Sequence, residues 1–230
     1  MNKIRISDVT MKQPAQAQNL SFREKIELSK LLDKLCVSAI ELDGITNSSV
    51  DSLRIKSIAT AVKDSIVAVP VALNAESVQL TWNALKTARK ARLQVCAPVS
   101  PVQMEYLFHK KPDAMLASIR ETIELCCKVC ADVEFVADDA TRSDTAFLYD
   151  AVRTAIAAGA KTVTVCDTAG AMLPNEFTAF IRELTPTKPV ALAPNNIDMH
   201  HYEEEWLPIL ENIDILIPFA FARSEYNVAE

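Results

Sequence analysis

Short apolar runs alternate with longer amphipathic stretches along the whole chain. Their length and period predict eight strands, at Ile4–Val9, Ala39–Asp43, Ile66–Leu73, Arg92–Ala97, Asp132–Ala137, Thr162–Asp167, Pro189–Ala193 and Asp214–Phe219. The stretches between them predict seven helices, at Phe22–Leu35, Val50–Val62, Ser77–Arg89, Pro112–Val129, Thr145–Ala158, Asn175–Leu184 and Met199–Glu211.

This regular alternation predicts an α/β fold, a parallel (β/α)8 TIM barrel, and a doubly wound sheet of six or seven strands is the alternative. The 230 residues suffice for one core, so residues 1–230 are predicted to form a single domain. No helical pattern follows the eighth strand, and the barrel is therefore expected to lack its eighth helix. Another chain is expected to fill the uncovered groove, which predicts a homo- or hetero-oligomer.

Charge and hydropathy narrow the classes of partner. The formal net charge is −6 and the basic residues are dispersed, which argues against nucleic acid. No apolar run reaches the roughly 18 residues that a membrane-spanning helix needs. The N-terminus has no signal-peptide pattern, so a cytoplasmic location is expected.

Six cysteines in such a chain do not indicate a disulfide framework. The spacing of Cys127 and Cys130 is that of a redox or zinc pair, but no second pair accompanies it. We therefore predict that the cysteines are buried thiols rather than metal ligands.

Local signals mark several helix ends. Ser21 stands three residues before Glu24, the spacing of a capping box. Ser49 and Asn74 are predicted N-caps, and Gly159 is a predicted C-cap.

In a TIM barrel the chemistry lies at the carboxyl ends of the strands. At these ends the chain reads Asp8-Val-Thr-Met-Lys12, Glu41-Leu-Asp43-Gly44, Ser100-Pro-Val-Gln103-Met-Glu-Tyr106, Asp138-Asp139-Ala-Thr-Arg142-Ser143 and Asp167-Thr168-Ala-Gly170-Ala-Met-Leu-Pro174. This ordered series resembles the isopropylmalate synthase and homocitrate synthase family, metal-dependent lyase-like barrels with a pyruvate carboxyltransferase-type domain. The larger C-terminal accessory region of that family has no counterpart in the sequence.

The resemblance implies a divalent metal held by an Asp after strand one, two His after strand seven and often an Asn after strand eight. That metal would hold a 2-oxo acid for attack by an acyl-CoA enolate. Asp8 and Asn227 stand at two of these positions, whereas Leu192 and Pro194 replace the histidines. Neither replacement has a side-chain lone pair, so we predict a degenerate metal site with no resident cofactor. Asp8 is expected to pair with Lys12 or Arg142 instead.

The resemblance also implies roles for other residues. Lys12, at the position of the family's Arg, and Glu41 become the catalytic candidates. The substrate-binding candidates are Gln103, Arg142, Asp167 and Thr168. Two of these also have structural interpretations, because Asp167 can cap a turn and Arg142 can belong to an ion-pair network. The segment of Met104 to Tyr106 is expected to be an ordered, lid-like loop.

Three hypotheses for function follow. The first is a degenerate relative, non-catalytic or catalytically altered, whose barrel binds a small carboxylic acid or a partner subunit. The second is an active acyltransferase of the isopropylmalate or homocitrate synthase type, which would need a divalent metal and acyl-CoA. The third is a metal-independent aldolase or lyase that uses Lys12 as a Schiff-base amine.

Overall fold

A computed structural model describes residues 5–12, 20–184, 190–194 and 216–219. The strands within these ranges are β1 (Arg5–Asp8), β2 (Ala39–Glu41), β3 (Ile66–Val71), β4 (Ala91–Pro98), β5 (Val133–Asp138), β6 (Thr162–Asp167), β7 (Val190–Pro194) and β8 (Leu216–Phe219). The helices are α1 (Phe22–Lys34), α2 (Ser48–Ala61), α3 (Ala75–Leu85), α4 (Pro101–Tyr106), α5 (Pro112–Val129), α6 (Thr145–Ala158) and α7 (Pro174–Leu184).

The strands form one parallel sheet in the order β7-β6-β5-β4-β3-β2-β1-β8. From β1 to β7 each strand pairs with its neighbours in sequence, and β8 pairs with β1, so no switch point divides the sheet as in a doubly wound fold. The end strands β7 and β8 contact each other, which shows that the sheet is curled. The parallel α/β architecture of the TIM-barrel type is thus as predicted, and the predicted helix at Met199–Glu211 and the question of an eighth helix lie outside the described residues.

Both faces of the sheet are buried, but they differ in chemistry. On β4, Leu93 and Val95 are completely buried, and Val163 and Val165 on β6 are buried in the same apolar core as the α5 residue Ile119. The alternate positions of these strands carry polar side chains that reach one another across the inside of the curled sheet, as described below. The apolar layer between sheet and helices therefore holds the fold together, while the interior is polar.

Three of the four predicted helix caps are present in the structure. Ser21 forms the predicted capping box, Asn74 caps α3, and Gly159 ends α6 with φ 112°, a left-handed conformation that glycine adopts without strain. The prediction of Ser49 as a cap is wrong, because α2 begins earlier and Asn47 caps it. The Asn47 side chain accepts a hydrogen bond from the backbone N–H of Ser49.

The cysteines only partly match the expectation of buried thiols. Cys126 and Cys130 are buried, and the Cys130 thiol contacts the Asp132 carbonyl oxygen at 3.1 Å. Cys36 and Cys127 are exposed, so the prediction is wrong for these two. Cys36 comes just after α1 has ended and Cys127 lies on the outer side of α5, where neither can reach the core.

Among the described residues, no helix is both long enough and apolar enough to cross a membrane.

Candidate functional site

Lys12 stands at the centre of the polar interior. It follows β1 in a short 3-10 turn, Thr10–Lys12, which carries its side chain over the open end of the sheet. Its Nζ lies 2.5 Å from Glu41 Oε2 on β2 and 2.8 Å from Gln94 Oε1 on β4. The Lys12 side chain keeps 26% of its surface exposed, whereas that of Glu41 keeps 8%. The Lys12 side chain is therefore partly exposed, while its ammonium binds a buried carboxylate and a buried amide.

The ion pair determines the charge state of both partners. Burial alone would lower the pKa of Lys12, but the charge and hydrogen bond of Glu41, together with the other acidic groups nearby, outweigh it and raise the pKa above its usual value. Burial would raise the pKa of Glu41, yet the Lys12 ammonium holds it below its usual value. At neutral pH both groups are charged.

Beneath this pair the hydrogen bonds continue through the interior. Gln94 Nε2 donates to Glu41 Oε2 at 2.9 Å and to Glu134 Oε2 at 3.0 Å. Glu134, on β5, also accepts a short hydrogen bond from the Thr164 hydroxyl on β6. We call this connected set the interior cluster; its members are Lys12, Glu41, Gln94, Glu134 and Thr164.

Two further side chains, Ser7 and Arg92, contact the carboxyl groups of the interior cluster. Ser7, on β1, donates to Glu41 Oε1 at 2.7 Å. Arg92 lies 3.5 Å from Glu134 and 3.0 Å from Asp132, so a buried guanidinium stands beside the buried carboxyl. Strands β1, β2, β4, β5 and β6 are thus tied together through their inward side chains.

Sequence reasoning missed Gln94, Glu134 and Thr164. A signal was present, because Arg92, Gln94 and Cys96 alternate with the apolar Leu93, Val95 and Ala97 along β4. A fully buried parallel strand is usually apolar on both faces, so polar residues with a period of two indicate a polar interior.

Asp8 is buried at the end of β1 and contacts its own turn. It accepts hydrogen bonds from the Thr10 backbone N–H at 3.1 Å and from the Thr10 hydroxyl at 3.0 Å. Burial outweighs these bonds and raises its pKa. The prediction that Asp8 pairs with Lys12 or Arg142 is wrong, since Lys12 turns to Glu41 and Arg142 is held at the end of β5.

Asp138 ends β5 beside the interior cluster. Burial raises its pKa to about 6, although the Lys12 ammonium acts in the opposite direction. Cys96 on β4 and Cys166 on β6 flank it, and burial raises the pKa of both thiols so that they stay neutral. A carboxyl group that titrates near neutral pH therefore stands between two neutral thiols, close enough to Lys12 to sense its charge.

A second group of polar residues lies higher, in the loops after β4, β5 and β6. Asp139 is fully buried, accepts a hydrogen bond from the Ser100 hydroxyl at 2.5 Å, and binds Arg142 through two bonds of 2.7 and 2.6 Å. We call the set the rim cluster; its members are Ser100, Asp139, Thr141, Arg142 and Asp167. Arg142 thus forms the ion pair that was one of its two interpretations.

Asp167 caps the loop after β6. It accepts hydrogen bonds from the Thr141 hydroxyl at 2.6 Å and from the Ala171 backbone N–H at 3.0 Å. The neighbouring Thr168 hydroxyl accepts from the Asp139 backbone N–H at 2.9 Å. These contacts connect the β5 and β6 loops, and a substrate-binding role for either residue stays a prediction.

Gln103 lies in α4, a short helix where an ordered loop was expected. Ser100 caps this helix by accepting from the Gln103 backbone N–H at 3.3 Å, and Pro101 occupies its first turn. Both features favour a helix start, which the loop prediction overlooked. The Gln103 side chain is half-buried, and its role in substrate binding is untested.

The described residues do not fit a divalent metal. In the backbone register of the sheet, Pro194 pairs with Asp167 and Leu192 with Val165, so the two positions at which histidines were expected lie on β7 next to β6. Within the part of the chain that the structure describes, no three His, Cys, Asp or Glu residues are grouped closely enough to hold a metal ion. Asn227 lies outside that part. Whether the protein binds a cofactor remains a prediction.

A sequence profile described as HMGL-like matches residues 3–204. The chain belongs to the HMGL-like family. Within it, the 2-isopropylmalate synthase of Pyrococcus abyssi is 34% identical over 186 residues, which cover 80% of this chain and 38% of the relative. That of Carboxydothermus hydrogenoformans is 32% identical over 83% of this chain and 38% of the relative. The chain thus spans a little over a third of the length of these curated relatives, and the predicted family resemblance is confirmed.

Solved structures of similar shape carry the same fold at low identity. The HMG-CoA lyase of Bacillus subtilis matches with a TM-score of 0.74 and 15% identity, over 94% of this chain and 76% of that one. The carboxyl transferase domain of Rhizobium etli pyruvate carboxylase matches with a TM-score of 0.67 and 12% identity, over 94% and 40% of the two chains. These likenesses support the TIM-barrel type of the HMGL-like chain.

Proposed function

We propose that this HMGL-like chain is a degenerate member of its family that binds a small carboxylic acid above Lys12 and Asp138. Its barrel would serve binding, and not the metal-dependent condensation. One observation carries the proposal: a protonated ammonium is held inside the barrel, close enough to influence a carboxyl group whose pKa burial raises to about 6.

The chemistry of the two groups suits a carboxylate ligand. Glu41 and Gln94 accept from two of the three N–H donors of Lys12, and among the described residues the third is left for a ligand oxygen. Protonated Asp138 supplies a second donor to the same ligand. Neutral thiols of Cys96 and Cys166 stand beside Asp138 and add no repulsion to an anion.

Binding should depend on pH with a defined sign. Glu41 keeps its negative charge, so an anion relies on Lys12 and on Asp138 remaining protonated. As the pH rises through about 6, Asp138 loses its proton and becomes a like charge beside the ligand. Affinity should therefore be higher at pH 5.5 than at pH 7.5.

Calorimetric titration with pyruvate and 2-oxobutyrate at these two values tests the proposal. We expect Lys12→Met to abolish binding, while the matched variant Lys30→Met, on the exposed side of α1, leaves it unchanged. Asp138→Asn should bind with little dependence on pH, because an amide mimics the neutral acid. Absence of binding by the wild-type chain at either pH, or equal binding by Lys12→Met, contradicts the proposal.

The names of the relatives favour a second candidate, an acyl-CoA-dependent condensation of a 2-oxo acid. It would require a divalent metal, for which the described residues are a poor fit. Thiol release from acetyl-CoA, measured over a panel of 2-oxo acids with Mg²⁺, Mn²⁺ or Zn²⁺, separates the two. Sustained turnover would establish the condensation and refute a purely binding role.

The hydrogen bonds of Lys12 argue against a Schiff-base aldolase. A nucleophilic lysine needs a lowered pKa. Burial acts on Lys12 in that direction, but the charge and hydrogen bond of Glu41, together with the other acidic groups nearby, outweigh it and raise the pKa. Borohydride reduction in the presence of pyruvate should leave Lys12 unmodified, and a reduced adduct on this residue in a peptide map would reverse this conclusion.

A further inference from the structure

Lys12 comes from a turn after β1, so the register of the sheet does not by itself place its ammonium. Two side chains on other strands do this. Glu41 supplies the opposite charge, which attracts Lys12 with little preference for direction, while Gln94 supplies a neutral acceptor at 2.8 Å from a second side. Together they define where the remaining N–H points.

The amide of Gln94 has one favourable orientation. Its nitrogen donates to Glu41 and Glu134, and its oxygen faces the Lys12 ammonium. A flipped amide would set an oxygen against the Glu41 carboxylate and an NH2 group against the Lys12 ammonium, so both contacts would become repulsive. Gln94 is 1% exposed, which leaves it no solvent to relieve such a flip.

Glu134 stabilises this orientation of the Gln94 amide, because other residues hold the Glu134 side chain in place. The Thr164 hydroxyl donates to Oε1, and Arg92 lies 3.5 Å from Oε2, the oxygen that accepts from Gln94. Glu134 is 1% exposed, so it acts on a ligand only through its neighbours: through the Gln94 amide, which it holds, and through its charge on Lys12.

We propose that Gln94 is a positioning residue for the Lys12 ammonium and that Glu134 locks the Gln94 amide, so that neither touches the ligand but both set its affinity. The part concerning affinity rests on the proposed binding of a carboxylate at Lys12. The part concerning position does not, because it concerns the ammonium of the unliganded protein.

The unliganded protein is tested by NMR of ¹⁵N-labelled lysine ammonium groups, with Lys12→Met used to assign the Lys12 signal. In the wild-type protein we expect a Lys12 ammonium whose protons exchange slowly with water. Gln94→Leu should speed this exchange at least tenfold, and Glu134→Leu should have a smaller effect in the same direction. Glu134→Gln should keep the slow exchange of the wild-type protein, since the new amide oxygen can still accept from Gln94.

Ligand affinity is the second measurement, by calorimetry with pyruvate at pH 5.5. Gln94→Leu should weaken binding about tenfold, the usual effect of losing one orienting hydrogen bond. Thr164→Val, one step further from the ligand, should weaken it less, and it serves as the milder variant if Gln94→Leu does not fold. Thr81→Val, an equally buried change in α3 whose hydroxyl has no partner among the described residues, is the control and should alter neither measurement.

The outcomes separate the two proposals. If the wild-type protein shows slow ammonium exchange that Gln94→Leu abolishes, positioning holds even where pyruvate does not bind and the proposed function fails. If Gln94→Leu and Thr164→Val keep the wild-type exchange rate and affinity, the positioning role is refuted whatever the ligand. A change in melting temperature without a change in exchange refutes it equally, because it marks a role in folding alone.

Discussion

The interior cluster and the rim cluster contain similar residues but use them differently. In the interior cluster, side chains from β2, β4, β5 and β6 bond to one another across the barrel, and Lys12, which binds two of them, is partly exposed. In the rim cluster, Asp139 and Asp167 each bond to the loop that follows their own strand and to the loop after the preceding strand. The first arrangement holds the Lys12 ammonium inside the barrel, and the second connects three loops.

The contrast shows why a retained family motif is weak evidence for a retained role. Asp167 and Arg142 stand in motifs that match the family, yet their polar atoms bond to the protein itself. Gln94 and Glu134 stand in none of the family motifs, yet Gln94 binds the candidate ammonium and Glu134 binds Gln94. Contacts, more than sequence motifs, separate a candidate binding group from a structural one.

The sharpest way to break the interior cluster is Lys12→Met, which leaves the Glu41 carboxylate buried without its cation. We expect a loss of about 3 kcal/mol in the free energy of unfolding at pH 7, the lower end for a broken buried pair, because Lys12 is partly exposed. Urea unfolding measures it. The double variant Lys12→Met with Glu41→Gln should recover most of the lost free energy of unfolding. If it does not, the loss comes from packing and not from the unpaired charge.

The contribution of the rim cluster to the free energy of unfolding should depend mainly on its fully buried member, Asp139. Asp139→Ala removes the acceptor of Ser100 and Arg142 and puts alanine at φ 59°, so we expect a cost of roughly 2 kcal/mol. Asp139→Asn tolerates that φ and should cost less. Arg142→Ala should cost less than Asp139→Ala, because the Arg142 side chain is 45% exposed. Equal losses for Asp139→Ala and Arg142→Ala in chemical unfolding would contradict this ranking.

Asp138 lies between the two clusters, and its pKa gives a test by pH. Its folded pKa of about 6 exceeds the ordinary value of 3.8, so the folded state binds the proton more tightly and stability falls as pH rises from about 4 to 6. Asp138→Asn should therefore raise the free energy of unfolding by about 1.5 kcal/mol at pH 8, allowing for partial exposure, and change little at pH 3.5. Thermal melts at both values measure this, and an equal effect at both would remove titration as the cause.

The smallest expected effect lies outside both clusters. Thr81 is fully buried in α3, and its hydroxyl has no hydrogen-bond partner among the described residues. Thr81→Val removes that unpaired group while keeping the shape, so the melting temperature should stay level or rise slightly. A clear fall would indicate a polar contact in the remainder of the chain.

The sequence alone determined the architecture, because hydrophobic period and capping chemistry are local. The eight strands lie within two residues of their predicted bounds, and α5 and α6 match theirs. The family resemblance could also be predicted from the sequence, since it rests on the order of motifs along the chain and not on contacts between residues.

Tertiary structure decided which polar groups meet. Glu41 and Gln94 are separated by 53 residues, and their contact with Lys12 depends on the curl of the sheet, which brings β2 and β4 together across the interior. The partner of Asp8 was mispredicted for the same reason, since opposite charge alone does not say which of several carboxylates a cation reaches. Charge patterns name the candidates, and only the distances and burial of the folded chain select among them.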